Sequence, residues 1–317
     1  MQGGIYMNII VLFLAIILFT GCSSANTGEE NTLEEIREVS VSRLNGSRIE
    51  NNTDFFIGAD ITEDINVDTI QAFEEMAGTH DVYADEIYID EADKAENFIL
   101  ECCAAGKRPY IIIKNKDGIG IETYKKYADT MAEAIGHYQV EVMVEILENS
   151  YYYDESGEKY NYLAEKIYEA NNSAKMIWSV KSDDLILVGK YMTEENVDYI
   201  CVNGYFDSAE AVDRLFSGLR NHLNTDKRVI VRFGAAAYSS DDCIYTIGEA
   251  KKTIAGVYDK ILRDKEIAGV IYMDKNVRLS EQVNYTDYSI TSDKTLTKEY
   301  FDIIEKAYDF KTENGDE

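Results

Sequence analysis

Val197-Asp198-Tyr199-Ile200-Cys201-Val202-Asn203-Gly204-Tyr205, then a helical stretch over Ala209–Leu223, then Arg228-Val229-Ile230-Val231-Arg232-Phe233-Gly234-Ala235 is the passage on which the fold turns. Each apolar run is continuous rather than alternating, which is the pattern of a strand buried on both faces, as in a parallel sheet covered by helices. The segment between them has 3.6-residue periodicity and is long enough to be the crossover helix a parallel pair requires. Working outward, the same alternation recurs eight times. The expected strands are Phe55–Ile61, Asp81–Ile89, Arg108–Asn115, Val140–Leu147, Lys175–Lys181, Val197–Tyr205, Arg228–Ala235 and Ile267–Asp274. Helices are expected over Val67–Ala77, Lys94–Ala105, Glu122–Tyr138, Glu158–Asn171, Ala209–Leu223, Thr246–Arg263 and Thr297–Tyr308, with a short, weak one near Asp184 to Met192. This order and size over residues 55–310 match one (β/α)8 TIM barrel of the α/β class. An open doubly wound sheet would carry a Gly-rich phosphate turn after its first strand, and Gly58-Ala59-Asp60-Ile61-Thr62 is not one.

Before the barrel the chain reads as an address and a spacer. The apolar run Ile9–Phe19 is too short for a membrane-spanning helix and ends in Phe19-Thr20-Gly21-Cys22, which resembles the lipobox of a bacterial lipoprotein signal over residues 1–22. That resemblance makes Cys22 the lipid-carrying residue and places the protein outside the cytoplasm, anchored to a membrane. Residues 23–54 are polar and suit a linker, and residues 311–317 are expected to be a disordered tail. Lys plus Arg number 31 against 59 Asp plus Glu, a formal charge of -28 that repels phosphate backbones and argues against nucleic acid as a partner. Cys102, Cys103, Cys201 and Cys243 lack metal-site spacing and read as mostly buried thiols, with a Cys201–Cys243 bridge left open.

If the fold is a barrel, function belongs at the C-terminal ends of the strands. His80, His137 and His222, the only histidines, all fall toward the opposite face, which excludes a Ser-His-Asp triad, His-ligated zinc and a His base at the mouth. The strand ends offer Asp60, Asp85, Lys114, Glu145, Glu148, Asn149, Trp178, Lys181, Asn203, Tyr205, Arg232 and Asp274. After strand four comes Glu148-Asn149-Ser150-Tyr151-Tyr152-Tyr153-Asp154, aromatic rings beside carboxylates, the combination a sugar site uses for stacking and for hydroxyl binding or acid/base work. Asp183-Asp184 and Asp241-Asp242 lack the EF-hand pattern and read as solvated acidic loops, so no metal and no cofactor is expected.

Val142-Met143-Val144-Glu145-Ile146-Leu147-Glu148-Asn149, Lys175-Met176-Ile177-Trp178-Ser179-Val180, Val197–Tyr205, Arg228–Gly234 and Ala268-Gly269-Val270-Ile271-Tyr272-Met273-Asp274 resemble strands four to eight of glycoside hydrolase family 26. The resemblance implies a (β/α)8 enzyme, in that family largely a retaining β-mannanase working with two Glu. The family's acid/base follows strand four in a His-Glu-x-Asn setting. Here Glu148-Asn149 is nearest, without the His or the spacer, and Glu145 is a second candidate. The family's nucleophile Glu ends strand seven before Phe-Gly, and here that place holds Arg232. A guanidinium is no nucleophile, and an ion pair of Arg232 with Glu145 or Glu148 across the mouth is expected instead.

Two functions follow. The first is a monomeric surface lipoprotein whose barrel binds β-linked polysaccharide with retaining catalysis lost, using Asn149, Tyr151, Tyr152, Trp178, Tyr205, Asp60 and Asp274 around the groove. The second is an active endo-β-glycanase of the β-mannanase class, with Glu148 as acid/base and a displaced second carboxylate such as Asp274 or Asp60.

Overall fold

The computed structural model describes residues 55–61, 64–152, 154, 156–188, 196–222, 225–239, 244–245, 247–264, 266–278 and 285–314. The signal and Cys22, the linker, Tyr153, Asp241-Asp242, Cys243 and residues 315–317 lie outside the described residues.

Eight parallel strands close into a barrel: β1 Phe56–Ile61, β2 Val82–Tyr88, β3 Arg108–Lys114, β4 Met143–Glu145, β5 Lys175–Lys181, β6 Tyr199–Phe206, β7 Arg228–Ala235 and β8 Ile267–Asp274. Between and after them run α1 Val67–Ala77, α2 Ala92–Ala104, α3 Ile121–Gly136, α4 Glu158–Ala170, α5 Ala209–His222, α6 Ile247–Arg263 and α7 Lys294–Asn314. The expected (β/α)8 barrel is therefore the fold. Its strands are buried almost throughout, β1 and β8 at every position, which is why they read as unbroken apolar runs.

Local chemistry fixes the element ends. Asn66 caps α1 reciprocally: its side chain accepts from Thr69 N at 3.0 Å, and Thr69 Oγ1 accepts from Asn66 N at 2.9 Å. The barrel interior is filled by Phe56, Ala84, Tyr110, Ile112, Met143 and Ile230, among others. Gly269 on β8 leaves room for Phe56, since a Cβ there would stand 2.5 Å from the ring.

Two expectations change, at strand four and at the last helix, and the structure adds detail to the loops. Strand four is β-paired only over Met143–Glu145, because Leu147 (φ 51°) and Asn149 (φ 53°) turn the chain left-handed just beyond it. Ser182–Leu187 is a 3-10 segment, and residues 189–192 of the short helix expected near Asp184 to Met192 lie outside the described residues. The last helix runs through Asn314 rather than stopping at Tyr308, so the tail does not begin at 311. Lys311 is buried, its ammonium 2.8 Å from Asp81, so α7 is pinned to the start of β2. Finally, the loops after β7 and β8 build a small antiparallel sheet, in the order Asn276–Arg278, Tyr285–Asp287, Tyr238–Ser239, Ile244–Tyr245. Such loops carried no strand-length apolar run in the sequence.

Cys102, Cys103 and Cys201 are free, buried thiols. Cys201 faces the barrel interior and is therefore not in a bridge. His80 is wholly buried at the N-terminal side of β2. Its ring nitrogens meet Gly78 O at 2.8 Å and Tyr300 Oη at 2.9 Å, and Tyr300 Oη meets Tyr258 Oη at 3.2 Å, joining α7 and α6 to the barrel.

Candidate functional site

At the C-terminal mouth, six charged side chains from six different strand ends form a closed ring of alternating sign. Arg232 (β7) contacts Glu148 in the loop after β4, and Glu148 contacts Lys114 at the end of β3. Lys114 reaches Glu86 on β2 at 3.4 Å, and Glu86 reaches Lys275, just past β8, at 3.0 Å. Lys275 lies 2.9 Å from Asp60 on β1, and Asp60 lies 3.7 Å from Arg232, which closes the circle. Glu145 hangs beneath it, accepting from Arg232 Nη2 at 3.2 Å and from Tyr110 Oη at 2.9 Å. Side-chain alternation explains the convergence: residues two apart on a strand share a face, so Ile230 and Arg232 both point inward, the first into the core and the second at its upper rim.

The electrostatics separate the two glutamates. Burial opposes the charge on Glu148, but Arg232 and Lys114 outweigh it and hold its carboxyl down at about 2. Burial dominates at Glu145 and raises its pKa, with Arg232 opposing and Glu148 adding to the rise. Burial also raises Asp60 against the pull of Lys275 and Arg232. Lys275 gains from the pair, whereas Asp60 does not recover the cost of leaving water. Glu86, beside Lys275 and Lys114, is lowered in spite of its own burial.

Glu148 is delivered by an unusual backbone. The residues on either side of it, Leu147 and Asn149, both have positive φ. For Leu the left-handed region costs roughly 1–2 kcal/mol, while Asn tolerates it better. The chain keeps its neighbours through the turn, with Ile146 N bonding to Ile177 O at 3.2 Å and Glu148 N to Ile113 O at 3.1 Å.

Above the ring lies a cleft of about 890 Å³. Glu86, Lys114, Glu148 and Arg232 form its charged floor, and the amides of Asn149 and Asn203 meet on one wall at 3.3 Å. Tyr205 and Tyr288 also line the cleft, with ring centroids 4.3 Å apart. Gly234 makes space for this pair, because a Cβ there would come within 3.0 Å of the Tyr205 ring. An outer arm of the cleft passes Arg214 and Gly218 on α5 to His222, which was expected to belong only to the opposite face.

The expected site residues divide accordingly. Glu148, Asn149, Tyr205 and Arg232 line the cleft. Glu145, Asp60 and Asp274 are buried and do not line it. Asp274 accepts from Ile290 N at 2.6 Å and Thr291 Oγ1 at 3.4 Å, so it anchors the turn that follows Tyr288. Tyr151 and Trp178 are buried against each other, ring centroids 5.9 Å apart, and are core rather than sugar platforms. Tyr152 is exposed but gives its hydroxyl to Asp184 and has Lys181 Nζ 5.1 Å from its ring centre, and it is not part of the cleft wall. Asp184 is thus used by tyrosines, and among the described residues no cluster of three or more His, Cys, Asp or Glu is placed to hold a metal ion. Glu86, Lys275 and Tyr288 were missed. Glu86 was legible, since Val82 and Ala84, four and two residues earlier, face the interior. Lys275 and Tyr288 lie in loops with no such periodic signal.

No protein-family model matches the chain, and no curated protein matches its sequence. Solved structures do match its fold, glycoside hydrolases among them. A family 113 β-1,4-mannanase superposes with a TM-score of 0.58 at 10% identity, over 78% of this chain and 98% of its own. A modular family 26 endo-β-1,4-mannanase from Cellulomonas fimi gives 0.54 at 12% identity, over 86% and 74%. An endo-β-mannanase/endo-β-glucanase from Prevotella bryantii gives 0.52 at 14%, over 80% of this chain and 48% of that one. The class these matches define is a (β/α)8 barrel of the kind glycoside hydrolases use. At such identities the likeness is one of fold.

Proposed function

We propose that this protein binds β-linked polysaccharide in the cleft at the barrel mouth and has no retaining glycosidase activity. Arg232 carries the reading. It stands on β7, is almost wholly buried, and ties Glu145 and Glu148 together. A retaining mechanism needs one carboxylate as nucleophile about 5–5.5 Å from another that donates a proton to the leaving group. Glu148, held at about 2, is ionised throughout the neutral range and has no proton to donate. Glu145 has the raised pKa of an acid but no exposed surface from which to reach a substrate. The alternative glycanase would draw its second carboxylate from Asp60 or Asp274, and both are buried and engaged by Lys275 or by the 290–291 turn. The Tyr205–Tyr288 pair and the Asn149–Asn203 amides supply what binding needs, apolar ring faces and hydroxyl partners.

The mannanase and glucanase neighbours support a β-glycan as the ligand class, and the sequence before the barrel supports export and anchoring through Cys22 on the outer face of a membrane. The test is reducing-end release from β-mannan, xylan and mixed-linkage glucan by the full-length protein, with affinity electrophoresis in the same polymers. Retarded migration without release is the expected result. Release that vanishes in Glu148→Gln would overturn the proposal in favour of a hydrolase.

A further inference from the structure

The floor of the cleft narrows the chemical class of the sugar. Arg232 Nη2 and Lys114 Nζ converge on the two oxygens of one carboxylate, Glu148 Oε1 and Oε2. Arg232 is 1% exposed, whereas the Glu148 side chain is 19% exposed and forms part of the cleft surface. A buried guanidinium and an ammonium aimed at both oxygens of a single carboxylate are the donor set that recognises carboxylates in general. Glu148 itself shows that the space between them has the size and shape of that group. The carboxylate is held there by a loop bent through left-handed Leu147 and Asn149, conformations that persist only where the surroundings impose them and that gather at clamps and switches. Beside it stand the Asn149 and Asn203 amides and the Tyr205 and Tyr288 rings, partners for the hydroxyls and the apolar face of a pyranose.

We propose that Arg232 and Lys114 form a subsite for the carboxylate of a uronic acid residue in the bound glycan, and that Glu148 occupies this subsite in the free protein. The inference rests on the glycan-binding reading and deepens it. The incoming carboxylate displaces Glu148 and takes over its two charge-assisted contacts, and no covalent bond changes. The formal charge of -28 opposes the approach of polyanions from a distance, so selectivity is a short-range property of the mouth. It is best read at about 0.15 M salt, where the Debye length is about 8 Å.

The test uses full-length wild type, Glu148→Gln and Glu148→Asp with matched trimers that differ at C6: β-1,4-mannuronate against mannotriose, and β-1,4-glucuronate against cellotriose. Titration calorimetry gives the ratio of acidic to neutral affinity for each protein. In Glu148→Gln the internal anion is gone, and the ratio should rise by roughly tenfold or more over wild type, the worth of a hydrogen bond to a charged group. In Glu148→Asp, which keeps the ring charge but shortens the reach, it should rise by a smaller factor. The Asp variant carries the test if circular dichroism shows that the Gln variant does not fold. An unchanged ratio in the folded variants, with neutral trimers still bound, would overturn the uronate subsite and leave the glycan reading standing. Inorganic phosphate binding to Glu148→Gln as tightly as the acidic trimers would also overturn it, because the pair would then hold any anion. Absence of binding by all four trimers to all three proteins would overturn both.

Discussion

Replacing Arg232 by Met removes a cation in contact with three carboxylates, Asp60 at 3.7 Å, Glu145 at 3.2 Å and Glu148. Methionine fills much of the same volume, so the loss is electrostatic before it is steric. Breaking a buried ion pair by removing one partner costs about 3–5 kcal/mol, since the partner left behind stays dehydrated and charged. For a domain of this size that corresponds to a fall of roughly 6–20 °C in Tm, at roughly 2–4 °C per kcal/mol. Urea unfolding followed by the fluorescence of Trp178, the only tryptophan and a buried one, measures it. The pH dependence gives a second signature. Without Arg232, Glu145, already raised by burial, loses the charge that opposes the rise, and Glu148 keeps only Lys114 against its own burial, so both shift upward; an upward shift of a folded-state pKa removes stability as pH rises through it. The deficit of Arg232→Met should therefore be larger at pH 7.5 than at pH 4.5. A triple variant, Arg232→Met with Glu145→Gln and Glu148→Leu, should recover most of the stability, because an apolar set replacing a buried ionic one is often neutral or better. A deficit below about 1 kcal/mol, or one equal at both pH values, would refute the claim that this ring is a desolvated ionic network.

Burial holds the His80 imidazole down at about 4, with Lys107 acting in the same sense and the bond to Gly78 opposing. A depressed pKa means that stability is complete above the unfolded value of about 6.5 and is lost as pH falls toward 4, by about 3 kcal/mol for this one group. His80→Gln should flatten that slope in urea titrations between pH 7 and 4; an unchanged slope would place the acid sensitivity elsewhere. Tyr205→Ala should weaken glycan binding in affinity electrophoresis by roughly 0.5–1.5 kcal/mol while leaving Tm within a few degrees. Equal retardation of wild type and variant would remove the Tyr205–Tyr288 pair from the binding surface. Gly269→Ala sets a methyl 2.5 Å from the Phe56 ring and should cost roughly 1–3 kcal/mol by denaturant unfolding, whereas a neutral result would mean that the interior yields more than its packing suggests.

The architecture was legible because it rests on short-range patterns. Lys175–Lys181, Arg228–Ala235 and Ile267–Asp274 are observed with the bounds read from the sequence, since continuous β-branched runs between helical repeats have few other uses. Strand four was read too long because its apolar run outlasts its β-pairing: Ile146 and Leu147 are buried, but the backbone has already turned at Leu147. The aromatic cluster after strand four was assigned to the site on composition, and packing took Tyr151 away to Trp178. That an Arg precedes Phe233-Gly234, where the resemblance to family 26 implies a nucleophile Glu, was visible in the sequence itself. The ion pair of Arg232 with Glu145 or Glu148 was expected from the sequence as well; that Arg232 holds both, 87 and 84 residues distant, and meets Asp60 besides was decided only when the barrel closed.

Local periodicity and burial thus determined the eight strand–helix units and the residue types at their ends, because each depends on neighbours a few positions apart. Tertiary structure alone decided which of those ends point inward, that Lys114 and Lys275 complete a ring with Glu86 and Asp60, and that Glu148 rather than Glu145 meets the cleft. Those outcomes depend on strand stagger, on one left-handed turn and on charges from six separate strand ends coming within a few ångströms, where desolvation makes their mutual attraction strong enough to matter.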